Sequence, residues 1–159
     1  MKKIFILFLF LAQIQFISAK NGGTEVVQKF GESFSTWCST GNDSLRVVLE
    51  EICSGPIICT IEDVLLNVHV GDKEMDTFRF VSYLNMIQTF MVKNNVNYEI
   101  KNIKPVKEKK KQEGRLLVTA DIEVSGRFNY KAKKIFVVRG ENISAIYDYH
   151  SKRGQNLLN

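Results

Sequence analysis

The chain has 159 residues, 45% hydrophobic and 25% charged, with 10 Gly, 2 Pro, 3 Cys and a formal net charge of +5 at pH 7. This balance excludes wholesale disorder, and so few Pro and Gly exclude collagen-like or Pro-rich sequence. Three cysteines are too few to build a disulfide-held mini-protein.

The first element is a leader. Lys2 and Lys3 precede an apolar run from Ile4 to Ile17, broken only by Gln13 and Gln15, and Ser18-Ala19 offers a small residue for cleavage. This is the layout of a secretory signal peptide, although Ile17 is larger than the residue usual at that place. As a helix the run would span about 21 Å, short of a ~30 Å hydrocarbon core. The sequence therefore predicts a leader over 1–19, one domain over 20–150 and a flexible tail over 151–159. Export to the periplasm or medium follows, with no membrane span after cleavage. The double-Lys start suggests a bacterium. Loss of Lys2 and Lys3 lowers the net charge from +5 to +3, which weakens any nucleic-acid reading.

Residues 24–38 read as a helix with Val26, Phe30, Phe34 and Trp37 on one stripe. Thr40 to Asp43 break it, and Asn42 or Asp43 can cap a second helix that carries Leu45, Val48, Leu49 and Ile52. Gly55-Pro56 stops that helix. Cys59 to Val70 alternates as a strand, with Gly71-Asp72-Lys73 as a turn. Asp76 caps a third, strongly apolar helix over 77–93. Strands follow from Asn97, Leu116, Phe128 and Ile143. In the second of these Leu116, Val118, Ala120, Ile122 and Val124 share a face. No pattern marks 151–159. The order α-α-β-α-β-β-β-β predicts an α+β domain, with helices packed on one face of a curved antiparallel sheet.

An oxidising compartment favours thiol pairing. Cys38 and Cys53 end successive helices, which places them roughly 16 Å apart if those helices are antiparallel, beyond disulfide reach. The expected bridge is Cys53–Cys59, worth roughly 2 kcal/mol, with Cys38 a buried free thiol.

The element order, with Phe34-Ser35-Thr36-Trp37, Cys53 to Asp63 and Ile143-Ser144-Ala145-Ile146-Tyr147, resembles the nuclear transport factor 2-like superfamily over about residues 24–149, more narrowly its small exported bacterial members. The resemblance implies a cone: a bent sheet wrapped around a cavity that helices close. Trp37, Phe80, Leu84, Ile87 and Phe136 would line it. Enzymes of that superfamily use Asp, His or Tyr inside the cone, and a carboxylate in an apolar pocket can act as a general base. Asp63, His69, Asp121 and Tyr149 are the candidates, and none stands in a matching motif. No catalytic residue is assigned. A nucleophilic cysteine is disfavoured because no His stands in a recognisable relation to one.

The two His are 81 positions apart, which gives no metal cluster, and Gly22-Gly23 makes no phosphate loop. No cofactor is expected. Lys104 to Lys111, with Lys107, Lys109, Lys110 and Lys111 as a basic surface, reads as a solvated hairpin tip that deters edge pairing. A further basic group, Arg127, Lys131, Lys133, Lys134 and Arg139, suggests a wet outer sheet face or an acidic partner. These readings favour an exported, non-catalytic domain that binds a small apolar ligand or an envelope protein. An isomerase or lyase with a pocket carboxylate is the alternative. A cystatin-like inhibitor is disfavoured by its single helix, and a homodimer stays open.

Overall fold

The computed structural model describes residues 22–108 apart from 64–67, together with 112–159; for 61–63 and 68–70 the description is of the backbone. Residues 1–19, expected to form a leader, and Lys109, Lys110 and Lys111 lie outside the described residues.

Helix α1 spans residues 22–40. Val27, Phe30, Phe34 and Trp37 are its buried stripe, so Val27 takes the place expected of Val26. Gly31 lies where the helix crosses a strand: an added Cβ would stand 2.9 Å from the Ile100 side chain. Helix α2 (Ser44–Ile52) buries Leu49 and Ile52. Asn42 accepts from the Ser44 amide at 3.1 Å, while Asp43 accepts from the Trp37 indole N–H at 3.4 Å. Helix α3 (Thr77–Asn94) is capped by Asp76, which accepts from the Arg79 amide at 2.8 Å. It buries Phe80, Val81, Leu84, Gln88 and Met91.

The strands are β1 (Ile57–Asp63), β2 (Val68–Met75), β3 (Val96–Pro105), β4 (Leu116–Gly126), β5 (Tyr130–Arg139) and β6 (Asn142–Asp148), and a last helix, α4, spans Lys152–Leu158. They form one sheet in the order β2-β1-β6-β5-β4-β3. The domain is α+β, as expected, with two corrections to the sheet. The single strand over 59–70 is a hairpin of two, and Gly71 lies within β2 opposite Ile61 rather than at a turn. Gly71 has φ +98°, and the register shifts beside it between Ile61 and Glu62, so a bulge replaces the turn. The sheet is also mixed rather than antiparallel: β1 runs parallel to β6, pairing Ile58 with Ala145.

The inner face carries the main core, in which Val118, Ala120, Ile122, Phe136, Val138 and Ile146 meet Phe30, Phe34, Phe80 and Leu84 from the helices. The outer face carries a second core of Leu117, Ile135, Val137, Ala145 and Tyr147, covered by Leu157 and Leu158 of α4. Burial on both faces explains the unbroken apolar run Ile135-Phe136-Val137-Val138. The tail that showed no pattern in the sequence thus forms a helix. Ser151 caps it, accepting from the Gly154 amide at 3.0 Å.

Gly154 packs directly on the Asp148 carbonyl oxygen, leaving no room for a Cβ. Gly154→Ala is predicted to destabilise the protein by about 1–3 kcal/mol, as overpacking does, and to speed hydrogen exchange in α4 before the rest of the sheet. Urea denaturation with exchange mass spectrometry checks both; unchanged α4 exchange would contradict the packing argument.

Candidate functional site

Between α1, α3 and the inner face of the sheet lies a cavity of about 80 Å³. Its walls are mostly rings and aliphatic chains, with Phe30, Phe34, Phe80, Leu84, Ile87 and Phe136 among them. Phe34 meets Tyr98 edge-to-face with centroids 4.8 Å apart, an arrangement that ring quadrupoles favour. The lining residues with polar side chains are Tyr83, Tyr98, Tyr130, Thr60, Cys59 and Lys134. Burial pushes the Tyr98 phenol well above its ordinary range, with nearby Cys38 and Tyr83 adding to the effect. Tyr98 therefore stays protonated and keeps a proton to donate.

Lys134 owes its place to strand alternation: Lys134, Phe136 and Val138 share the inner face of β5. Directly opposite on β6 stands Asp148, with Lys134 Nζ 3.4 Å from Asp148 Oδ2 and both side chains less than a tenth exposed. Asp148 is held from several sides. Its Oδ1 accepts from the His150 amide at 2.8 Å, and its own amide donates to Thr60 Oγ1 at 3.2 Å. The Thr60 hydroxyl donates in turn to Asp72 Oδ1 at 2.6 Å. Arg153 of α4 completes the chain, its Nε 3.4 Å from Asp72 Oδ2. This network ties the β1–β2 hairpin, the end of β6 and α4 together behind Lys134.

The sequence matches no family model and none of the curated proteins. Solved structures do resemble the fold. A crystal structure described as a putative polyketide cyclase from Xanthomonas campestris pv. campestris superposes with a TM-score of 0.52 at 10% identity, covering 88% of this chain and 98% of that one. A de novo designed NTF2-fold protein superposes with a TM-score of 0.51 at 18% identity, covering 84% of this chain and 94% of that one. The chain has the nuclear transport factor 2-like fold. Identities this low carry the fold, a pocket-containing α+β cone, and nothing of the activity.

Within the NTF2-like cone the sequence candidates fall in different places. Phe80, Leu84, Ile87 and Phe136 line the cavity, whereas Trp37 does not. Trp37 is fully buried, and its carbonyl accepts from Gln88 Nε2 at 3.4 Å. Asp121 points to the other face, accepting from Asn102 Nδ2 at 2.8 Å. The Tyr149 ring lies outside, under Lys133 Nζ at 4.4 Å. The side chains of Asp63 and His69 lie outside the described residues.

Lys134 and Asp148 were not singled out as pocket residues in the sequence. The signal was the two-residue spacing of Lys134 with Phe136 and of Asp148 with Ile146. Lys134 thus leaves the outer basic group to which it was assigned. On that surface Lys131 is matched internally. Lys131 and Lys101 each reach Glu123 at 2.9 Å, and their hydrogen bonds hold its carboxyl down at about 2. Lys107 is exposed, while nearby Arg115 and Glu108 pair at 2.6 Å with little exposure.

The expected Cys53–Cys59 bridge is not formed. Cys38, Cys53 and Cys59 are all buried as thiols. Each packs as a small apolar side chain in the main core. Burial pushes the Cys38 thiol up to about 12, and burial followed by the neighbouring Cys59 raises Cys53 further. Neither thiol ionises near neutral pH, so neither is an activated nucleophile.

Two predictions follow from this geometry. Asp148→Ala removes a buried carboxylate 3.4 Å from the Lys134 ammonium and is predicted to cost about 3–5 kcal/mol in urea unfolding. The double variant Lys134→Met with Asp148→Asn recovers most of that loss; equal stability of the single and double variants would contradict the pairing. Titration with a disulfide-exchange reagent at pH 8 should find three thiols in denaturant and slow reaction in the native protein. One thiol in denaturant would restore the bridge.

Proposed function

We propose that this protein binds a small, largely apolar, uncharged molecule with a carbonyl-type oxygen inside its NTF2-like cone. One observation carries this reading: an apolar cavity whose polar lining includes proton donors, the Tyr98 phenol and the Lys134 ammonium. The donors call for an acceptor. Because Asp148 matches the charge on Lys134, an anionic ligand would arrive as an uncompensated buried charge, which is costly. The small volume, about half that of the ~150 Å³ cavity that admits benzene, suits a short chain of a few carbons.

The basic start and apolar run over residues 2–17 support export of this binding protein to a bacterial envelope or the medium. The isomerase or lyase alternative gains nothing here, because no carboxylate stands among the described lining residues; Asp148 lies behind Lys134.

Thermal unfolding tests the reading. Acetone should raise the melting temperature with a saturating dose dependence, approaching about 2.7 kcal/mol of stabilisation at a hundredfold excess over Kd. Acetate should do far less. Leu84→Trp, which fills the cavity, should abolish the acetone effect. No shift with acetone, or the same shift in the Leu84→Trp protein, would sink the proposal.

A further inference from the structure

We propose that Lys134 is a covalent site: its ε-amine condenses with the carbonyl of a small apolar aldehyde or ketone to form a protonated imine. The inference deepens the binding reading above and rests on it. Three observations carry it.

First, Lys134 is the only amine among the described lining residues, and it stands on an apolar wall that can hold the carbonyl compound beside it. A carbonyl seated there meets the amine as a neighbour rather than by chance collision, which favours addition. Second, the cross-strand neighbour of Lys134 on β4 is Ala120, the smallest side chain on that face. An alanine there sets no bulky β4 side chain against the lysine stem. Third, a buried ion pair contributes little net stability against a well-packed apolar pair. The burial of Lys134 with Asp148 is therefore poorly explained by stability alone.

The step balances without an added reactant. Lys134 enters as the ammonium and passes a proton to the Asp148 carboxylate, 3.4 Å away. The free amine pair attacks the carbonyl carbon, an N–C bond forms, and the C=O π pair moves to oxygen. Asp148 and the amine return protons to that oxygen, the C–O bond breaks, and water leaves. The product is R–CH=NH⁺–Lys plus water, with the same net charge as the aldehyde and ammonium that entered. The iminium cation therefore still faces Asp148, and the pair survives the reaction.

The test uses the full-length protein, propanal as the probe and cyanoborohydride to fix any imine as a propyl amine, followed by peptide mapping. The expected result is a propyl group on the peptide containing Lys134, gained roughly tenfold faster than the mean surface lysine, as proximity in a pocket gives. Lys134→Arg keeps a cation opposite Asp148 and cannot form an imine, so it should lose that label while surface labelling is unchanged. Should Arg not fit, the Lys134→Met with Asp148→Asn protein serves the same purpose. Propyl groups on surface lysines alone, at equal rates in wild type and variant, would overturn the covalent step. If acetone still raises the melting temperature in that case, the binding reading stands without it; if it does not, both fall.

Discussion

A lysine ammonium and an aspartate carboxylate, buried opposite one another across β5 and β6, set the terms for much of this structure. Neither charge can be left alone in a low-dielectric interior, so the strands that carry them must meet in one register. A slip of one residue would turn Lys134 into the outer core beside Ile135 and Val137. The pairing is regular through Phe136 and Ile146 and shifts only between Val137 and Val138, beyond the charged pair. The turn after β6 serves the same carboxylate: the His150 amide reaches one oxygen of Asp148, and Ser151 Oγ donates to its carbonyl at 2.8 Å. The pair also gives an otherwise apolar cavity its chemical character.

The sheet is asymmetric across its width. At β4, β5 and β6 it is buried on both faces, by the long helices within and by α4 without. Towards β3 the outer face is wet, and Lys101, Glu123 and Lys131 form a charge network there. These exposed pairs contribute little stability individually. They do neutralise a stripe that would otherwise be strongly basic. The excess of Lys and Arg over acids, 22 against 17, is therefore a poor guide to any partner: one Lys faces inward, one lies on the Tyr149 ring, and others are matched by carboxylates.

Much of the fold was legible because its signals are local. The Asp76 cap, the stripe of α3 and the alternation of β4 each follow from spacing within a dozen residues. The β1–β2 hairpin was read as one strand because its connection carries no strong turn signal, while the one Gly-Asp pair nearby sits at a bulge. Parallel pairing of β1 with β6 joins residues 58 and 145, and no local pattern reports on it. Phe80, Leu84, Ile87 and Phe136 lie on apolar faces that helix and strand periodicity marks, and all four stand on the cavity wall. Lys134 was missed because lysine is ordinarily solvated, so its inward position was visible only in its spacing from Phe136. The disulfide was inferred from compartment and loop length, whereas both thiols are absorbed by the core as apolar groups.

The place of β6 bears on how the chain assembles. It is the last strand in sequence, yet it lies in the middle of the sheet between β1 and β5. Until residues 142–148 arrive, β1 and β5 each present an unpaired edge, and the two halves of the sheet share no ladder. Pairing 58 with 145 closes a long loop, which slows formation of the native topology. Open strand edges on a half-made chain invite pairing with neighbouring molecules. The C-terminal quarter of the polypeptide is thus the part whose delay during synthesis would leave this protein most exposed to aggregation.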